Sequence, residues 1–241
     1  MNYVIGIDPS SGGVDPSCCR VWSDRPRMLV AELRGWVSED SMVSEMIRLC
    51  HFYGTDMSAK RLQNVLAVIE VNQGRLTLSA MQHGNTELNV NAPLPRIYHR
   101  PKPAYLSRGL HFPSDQPGFQ TSPASRNFLL SAAQSAIVYA SVSNEVVFPD
   151  IAGLQNDYHW FIWQNGKPQA RRGYHDDRVI ADGLAWLGFK MNLWKEDVTK
   201  DFIEKDEEPF AMAGDNGIQF NPEFFIDEYF NKVPDTGINY G

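Results

Sequence analysis

Apolar and polar positions along the chain change period several times, and each change marks an element. Tyr3-Val4-Ile5-Gly6-Ile7-Asp8 is a short apolar run closed by a carboxylate, the pattern of a buried central strand. The turn-rich stretch from Pro9 to Ser17 reads as a loop. Cys18 to Ser23 and Met28 to Trp36 read as two further strands, and the short connections suggest an antiparallel meander. Ser38-Glu39-Asp40 then opens an amphipathic helix through Met42, Val43, Met46, Ile47, Leu49 and Cys50, ended by Gly54. Asn64 to Val71 is a second continuous apolar run, with Glu70 near its end. Leu76, Leu78, Ala80 and Met81 suggest a helix broken near Gly84, and Arg96 to Arg100 a short strand.

The C-terminal half is less regular. Pro101 to Pro123, rich in Pro, Gly and Ser, reads as loop or hairpin. Ser125 to Ala140 predicts a helix, Glu145 to Pro149 a short strand, and Asp150 to Trp163 a helix carrying Leu154, Tyr158, Phe161 and Ile162. A turn at Asn165-Gly166-Lys167-Pro168 precedes a last helix, whose apolar positions Val179, Ile180, Leu184 and Leu187 share one face. The order β-β-β-α-β-α-β-α predicts an α/β fold, a mixed sheet with helices on its faces. Open sheets of this kind place sites at the carboxyl ends of their strands. Asp8 and Glu70 stand at two such ends. If those strands are parallel neighbours, the start of the last helix can reach both acids.

Composition narrows the picture. The 241 residues hold one large domain, or one domain and an appendage, and 43% of them are hydrophobic, enough for a substantial core. No run of 18 apolar residues exists, so no membrane-spanning segment is expected. The chain opens on a strand without a basic leader. Three cysteines, Cys18, Cys19 and Cys50, with no C-x-x-C, point to a reducing compartment and away from structural zinc. The net charge of −7 is uneven: residues 195–241 carry twelve acidic and four basic side chains, whereas residues 1–194 are near neutral. We divide the chain accordingly into a domain over 1–194 and an acidic, aromatic tail over 195–241, partly flexible or a docking segment.

The chemistry concentrates in Gly173-Tyr174-His175-Asp176-Asp177-Arg178 at the start of the last helix. One Asp there is ordinary capping. Two adjacent carboxylates call for an offsetting positive charge, which a divalent cation supplies. A capped, solvated helix start is the alternative.

Three segments together resemble the acidic motifs of the nuclease domain of phage terminase large subunits. They are Ile5-Gly6-Ile7-Asp8-Pro9-Ser10-Ser11-Gly12-Gly13, Val68-Ile69-Glu70-Val71-Asn72, and Gly173 to Ala181. Gly118-Phe119-Gln120-Thr121-Ser122 and Phe161 to Ala170 resemble the intervening connector. The resemblance spans roughly residues 3–190. It implies a ribonuclease H-like fold, a mixed sheet of about five strands in the order 3-2-1-4-5 flanked by helices. It also implies a metal-dependent endodeoxyribonuclease that cuts concatemeric viral DNA during packaging. Asp8, Glu70, Asp176 and Asp177 would then be the catalytic acids holding one or two Mg²⁺ or Mn²⁺ ions. Hard cations of this kind take oxygen ligands, and two of them ~4 Å apart activate a water and stabilise the leaving oxygen. Asp176 and Asp177 stay equivalent as direct ligands. Asp15 is either an auxiliary ligand or an Asp-Pro turn residue. His175 is expected to orient a phosphate or a water rather than ligate metal, and Asp182 to be solvated or paired.

DNA contact is assigned to Arg171 and Arg172, and to Arg96, His99, Arg100, Lys102 and Arg108 interleaved with Tyr98 and Tyr105. A merely solvated basic loop is the alternative. No G-x-x-x-x-G-K-[ST] is present, so the ATPase motor of a full terminase is expected elsewhere. The resemblance further implies double-stranded DNA, the portal, the small terminase subunit and that motor as partners. The implied location is the bacterial host cytoplasm, transiently at the procapsid portal, with no membrane association. Competing readings are a Holliday-junction resolvase-like nuclease, an actin-like phosphotransferase using Asp8 and Gly12-Gly13, and a non-catalytic packaging or portal-binding module.

Overall fold

A computed structural model describes residues 1–11, 15–55, 61–84, 93–101, 113–122, 125–131, 133, 146–147, 157–164 and 167–190. The tail from 195, the loop glycines Gly12 and Gly13, and Lys102 and Arg108 lie outside the described residues.

The sheet is built on β1 (Tyr3–Asp8), which pairs antiparallel with β2 (Ser17–Asp24) on one side and parallel with β4 (Arg61–Ile69) on the other. β3 (Arg27–Gly35) extends the meander antiparallel to β2, and β5 (Leu94–Ile97) lies parallel to β4. The strand order is the expected 3-2-1-4-5, with a two-residue strand, Val146–Val147, added beyond β3. Two antiparallel hairpins stand apart from this sheet. One joins β6 (His99–Pro101) to β7 (Pro113–Pro117), and the other joins β9 (Phe161–Gln164) to β10 (Lys167–Ala170), Val146–Val147 being β8.

Alternation along the strands makes two cores. Val4, Trp22, Leu66 and Val68 face one way, Ile5, Ile7, Cys19, Val21, Ala67 and Ile69 the other, and all are buried. The first face is covered by α4 (Asp177–Lys190) through Ile180, Leu184 and Leu187. The second is covered by α1 (Glu39–Tyr53) through Met42, Val43, Met46 and Ile47, and by α2 (Arg75–His83) through Ala80 and Met81. Residues 125–131, α3, add Leu129 and Leu130 to the first core. β1 and β4 are apolar on both faces because both faces are covered. Gly6 sets the closeness of α4: a Cβ there would run into the carbonyl oxygen of Ala181.

Expectations fail at two places. Arg96 to Arg100 are not one strand: Ile97 ends β5 in the main sheet and His99 begins β6 in a separate pair. Phe161 to Trp163 are not the end of a helix but part of β9, since Ala170 pairs with Phe161 and Lys167 with Gln164 across Asn165-Gly166. The two-residue Asn-Gly connection is a hairpin signal, and it outweighs the helical reading of a short apolar run. Only 157–159 of the proposed helix are helical among the described residues, and Leu154 lies outside them. No described helix is long and apolar enough to cross a membrane.

Candidate active site

Pairing of β1 with β4 puts the two strand-end acids side by side. Ile7 stands opposite Ile69, and the Glu70 amide donates to the Ile7 carbonyl at 2.9 Å. Asp8 is therefore one step beyond Ile7, and Glu70 one step beyond Ile69, at the same end of the sheet. Glu70 is buried, and its Oε2 accepts the Asn72 amide at 2.9 Å, which turns the chain sharply after the strand.

α4 packs across β1 and starts at this end. The carbonyl of Asp176 accepts the Ile180 amide at 2.9 Å, so Asp176 caps the helix with its backbone and leaves its carboxylate free for other contacts. Asp177 is the first helical residue and only 3% exposed. Each carboxylate meets one guanidinium. Arg34, on β3, donates from Nε to Asp177 Oδ2 at 2.8 Å, and its guanidinium lies over the Trp36 ring at 5.2 Å. Arg126, on α3, donates to Asp176 Oδ2 and lies over Phe161.

The electrostatics show the convergence. The Asp8 carboxyl is held well above the usual carboxylate range. Burial is the main cause, followed by the negative charges of Asp176, Glu70 and Asp177, with Arg126 opposing. Burial also raises the Asp177 carboxyl, against the pull of Arg34. Asp8 thus senses the charges of three further carboxylates, from β4's end and the start of α4. The donor set suits a hard divalent cation, being all oxygen and net negative. With Asp176 and Asp177 turned to their arginines, no three acidic, His or Cys side chains among the described residues are gathered around one ion position.

The remaining predicted residues fall into place unevenly. Asp15 is 68% exposed at its side chain, with Oδ1 3.2 Å from His175 Nδ1, and the His175 ring meets the edge of Trp36 at 5.9 Å. Both stand at the rim, His175 one residue before Asp176 and Asp15 against His175. Arg171 and Arg172 are exposed. The guanidinium of Arg171 lies over Trp160 at 5.0 Å, and Trp160 stacks on Tyr174 at 4.5 Å, so the basic pair rides on an aromatic support beside the helix start. Arg100 is elsewhere, on β6. It donates to the Gly118 carbonyl and to the side chains of Gln116 and Gln120, not to the acids.

Solved structures similar to this chain include terminase nuclease domains. The large terminase nuclease of the thermophilic phage G20c with bound magnesium superposes at a TM-score of 0.47 and 15% identity, over 77% of this chain and 80% of that one. The same nuclease with bound cobalt gives 0.47 and 15% over the same shares. The human cytomegalovirus terminase nuclease domain gives 0.44 and 12%, over 76% and 83%. No protein-family model and no curated protein matches the chain.

Asp182 proves to be paired rather than solvated. Fully buried on α4, it has Oδ1 3.0 Å from Arg20 Nε and accepts Trp22 Nε1 at 2.8 Å, while Oδ2 accepts the Tyr158 hydroxyl at 3.1 Å. Arg20 also reaches Glu32, which takes Arg178 in a two-toothed grip at 2.7 Å on each oxygen. Sequence reasoning missed Arg34, Arg126 and this network. One signal was present: Arg20 sits inside the apolar run Cys18 to Ser23, where a charge demands a buried partner.

Proposed function

We propose that this chain is a metal-dependent DNA endonuclease, the nuclease domain of a terminase large subunit that cuts concatemeric viral DNA during packaging. One observation carries the reading: the β1–β4 register sets Asp8 beside Glu70 at one end of the sheet, the end where α4 starts with Asp176 and Asp177. Arg34 and Arg126 offset two of the four charges, and a divalent cation would offset the other two.

In this reading Asp8, Glu70, Asp176 and Asp177 would hold one or two Mg²⁺ or Mn²⁺ ions. When bound, the ions supply an activated water and charge stabilisation for in-line attack on a phosphodiester. The protein's own part is positioning. Asp8 and Glu70 are fixed by the β1–β4 register, Asp177 by burial and Arg34, and Asp176 by its place at the helix cap. Asp176, half-exposed at its side chain, is the acid of the pair that can turn toward an ion, whereas Asp177 is pinned. His175 and Asp15 at the rim orient a water or a phosphate oxygen. Arg171 and Arg172 contact DNA phosphates without reading sequence. The partners of this reading are double-stranded DNA, the portal, the small terminase subunit and the ATPase motor, and its place is the host cytoplasm at the procapsid portal.

The test is cleavage of supercoiled plasmid in Mn²⁺, Mg²⁺ or EDTA by wild type, Asp8→Ala and Asp176→Ala. Nicking and linearisation that require metal and fail in both variants are expected. Cleavage in EDTA, or cleavage indifferent to both substitutions, would overturn the assignment, and no cleavage with either metal would shift it to a binding module.

A further inference from the structure

Beyond Glu70 the chain enters a cleft that the acidic site does not use. Its volume is about 560 Å³, within the range of small-ligand sites. One wall is the turn and first residues of α2, with Asn72 and Arg75. The other is the end of the β6–β7 hairpin and the segment after it, with Arg100, Gln120 and Thr121. The walls are locked together by backbone. The Val71 amide donates to the Phe119 carbonyl at 2.8 Å, and the Phe119 amide to Ile69 at 2.7 Å. Gly118, at φ +76°, makes this approach possible, because a Cβ there would collide with Val71.

The charges differ from those of the acidic site. Arg20, Arg34, Arg126 and Arg178 all face carboxylates. Arg100 and Arg75 do not, among the described residues. Arg100 is half-buried and aimed by three neutral acceptors, the Gly118 carbonyl at 3.2 Å, Gln116 Oε1 at 3.1 Å and Gln120 Oε1 at 2.6 Å. Arg75 is exposed on the facing wall. Two uncompensated guanidiniums thus share one nucleotide-sized space. Val71, Leu78 and Pro117 complete the lining with apolar surface, which suits a sugar rather than a bare ion.

We propose that this cleft is a strand-binding subsite. It takes one nucleotide unit of the polynucleotide, with the phosphate on Arg75 and Arg100 and the sugar on the apolar wall, next to the unit presented to Asp8 and Glu70. The subsite rests on the nuclease reading for its substrate. Guanidinium is the fitting group, since its fork matches phosphate oxygens. The cleft begins at Val71, directly after Glu70 in the chain, beside the strand end that carries the acids.

The experiment is fluorescence anisotropy with a labelled 20-base-pair duplex in EDTA, where no cut can alter the probe. The proteins are wild type, Arg75→Gln, the double variant Arg75→Gln/Arg100→Gln, and Arg48→Gln as a control on α1. Arg75 is exposed and makes no hydrogen bond or ion pair among the described residues, so its variant should keep the fold, and a thermal melt checks both variants. We expect about threefold weaker binding for Arg75→Gln and about tenfold for the folded double variant. The plot of log affinity against log salt should become shallower by about 1 to 2 for the double variant. Arg48→Gln should bind like wild type. Unchanged affinity in both cleft variants would overturn the subsite. So would displacement of the duplex by thymidine 5′-monophosphate or inorganic phosphate at equal concentration, which would make it a free-nucleotide or anion site. Plasmid cleavage separates the two readings. Metal-dependent cutting with cleft variants that bind normally removes the subsite alone, and weakened binding without any cutting removes the nuclease alone.

Discussion

Two acids on the same molecule show how environment decides a carboxylate's role. Asp182 is fully buried yet satisfied, its oxygens shared among Arg20, Trp22 and Tyr158. Removing one member of such a pair leaves an uncompensated charge, at a cost of about 3–5 kcal/mol. Asp182→Ala should therefore lower stability by that order in urea unfolding, and a loss under ~1 kcal/mol would mean that the network contributes little. Asp8 is the opposite case, surrounded by like charge, with its carboxyl raised by burial, Asp176, Glu70 and Asp177. The sign of the pH effect follows from linkage. Below the unfolded carboxyl's value, near pH ~3.9, Asp8 is protonated in both states and costs nothing. As pH rises the unfolded chain releases that proton first, so stability falls until the folded carboxyl ionises too. Asp8→Asn removes the penalty. In EDTA its melting temperature should exceed that of wild type, by roughly 2–4 °C for each kcal/mol relieved. The gap should be wider at pH 7 than at pH 5, and a gap that narrows with pH would contradict the charge argument.

At the scale of elements, the central strands were legible because burial on both faces leaves continuous apolar runs: Tyr3 to Asp8 coincides with β1, and Asn64 to Val71 overlaps β4, which runs from Arg61 to Ile69. The strand-end acids followed directly. The order of the sheet was not written in those runs and came with the family resemblance. The β9–β10 hairpin was misread because Phe161-Ile162-Trp163 is too short for periodicity to tell strand from helix, although Asn165-Gly166 was the deciding mark. The arginine partners were illegible for another reason: Arg34 and Asp177 are 143 positions apart, and no local rule pairs them. Gly6 likewise gave no sign in sequence of its closeness to α4. Its position makes a sharp prediction. A methyl at Gly6 meets the Ala181 backbone, which cannot rotate away as a side chain would. Gly6→Ala should therefore cost more than the ~1–3 kcal/mol usual for overpacking, read as a fall in the denaturant midpoint, and it should displace the Asp176-Asp177 end of α4 from Asp8. A variant that melts like wild type would place α4 farther from β1.

Across the whole molecule the question is how the domain tolerates four acids at one sheet end. Asp8, Glu70, Asp176 and Asp177 face Arg34 and Arg126, so two negative charges are left when all the acids ionise. One divalent cation balances them. Binding should then stabilise the fold, by about 2.7 kcal/mol at a hundredfold excess over the dissociation constant. In a chain of this size that is a rise in melting temperature of about 5–11 °C with Mn²⁺, and it should be absent in Asp8→Ala. On the nuclease reading Arg126 competes for a carboxylate that an ion would use, since its guanidinium is already on Asp176. Arg126→Gln leaves the site one charge more negative and Asp176 free. Its melting curve should be lower than wild type in EDTA, because the acids lose a counter-charge, and its Mn²⁺ titration should reach half-effect at roughly tenfold lower concentration, the equivalent of about 1.4 kcal/mol in binding. The two shifts have opposite directions, which a general loss of structure cannot produce. If half-effect instead moves to higher concentration, Arg126 is holding Asp176 in place for the ion, and its guanidinium belongs to the assembled site rather than to the metal-free state.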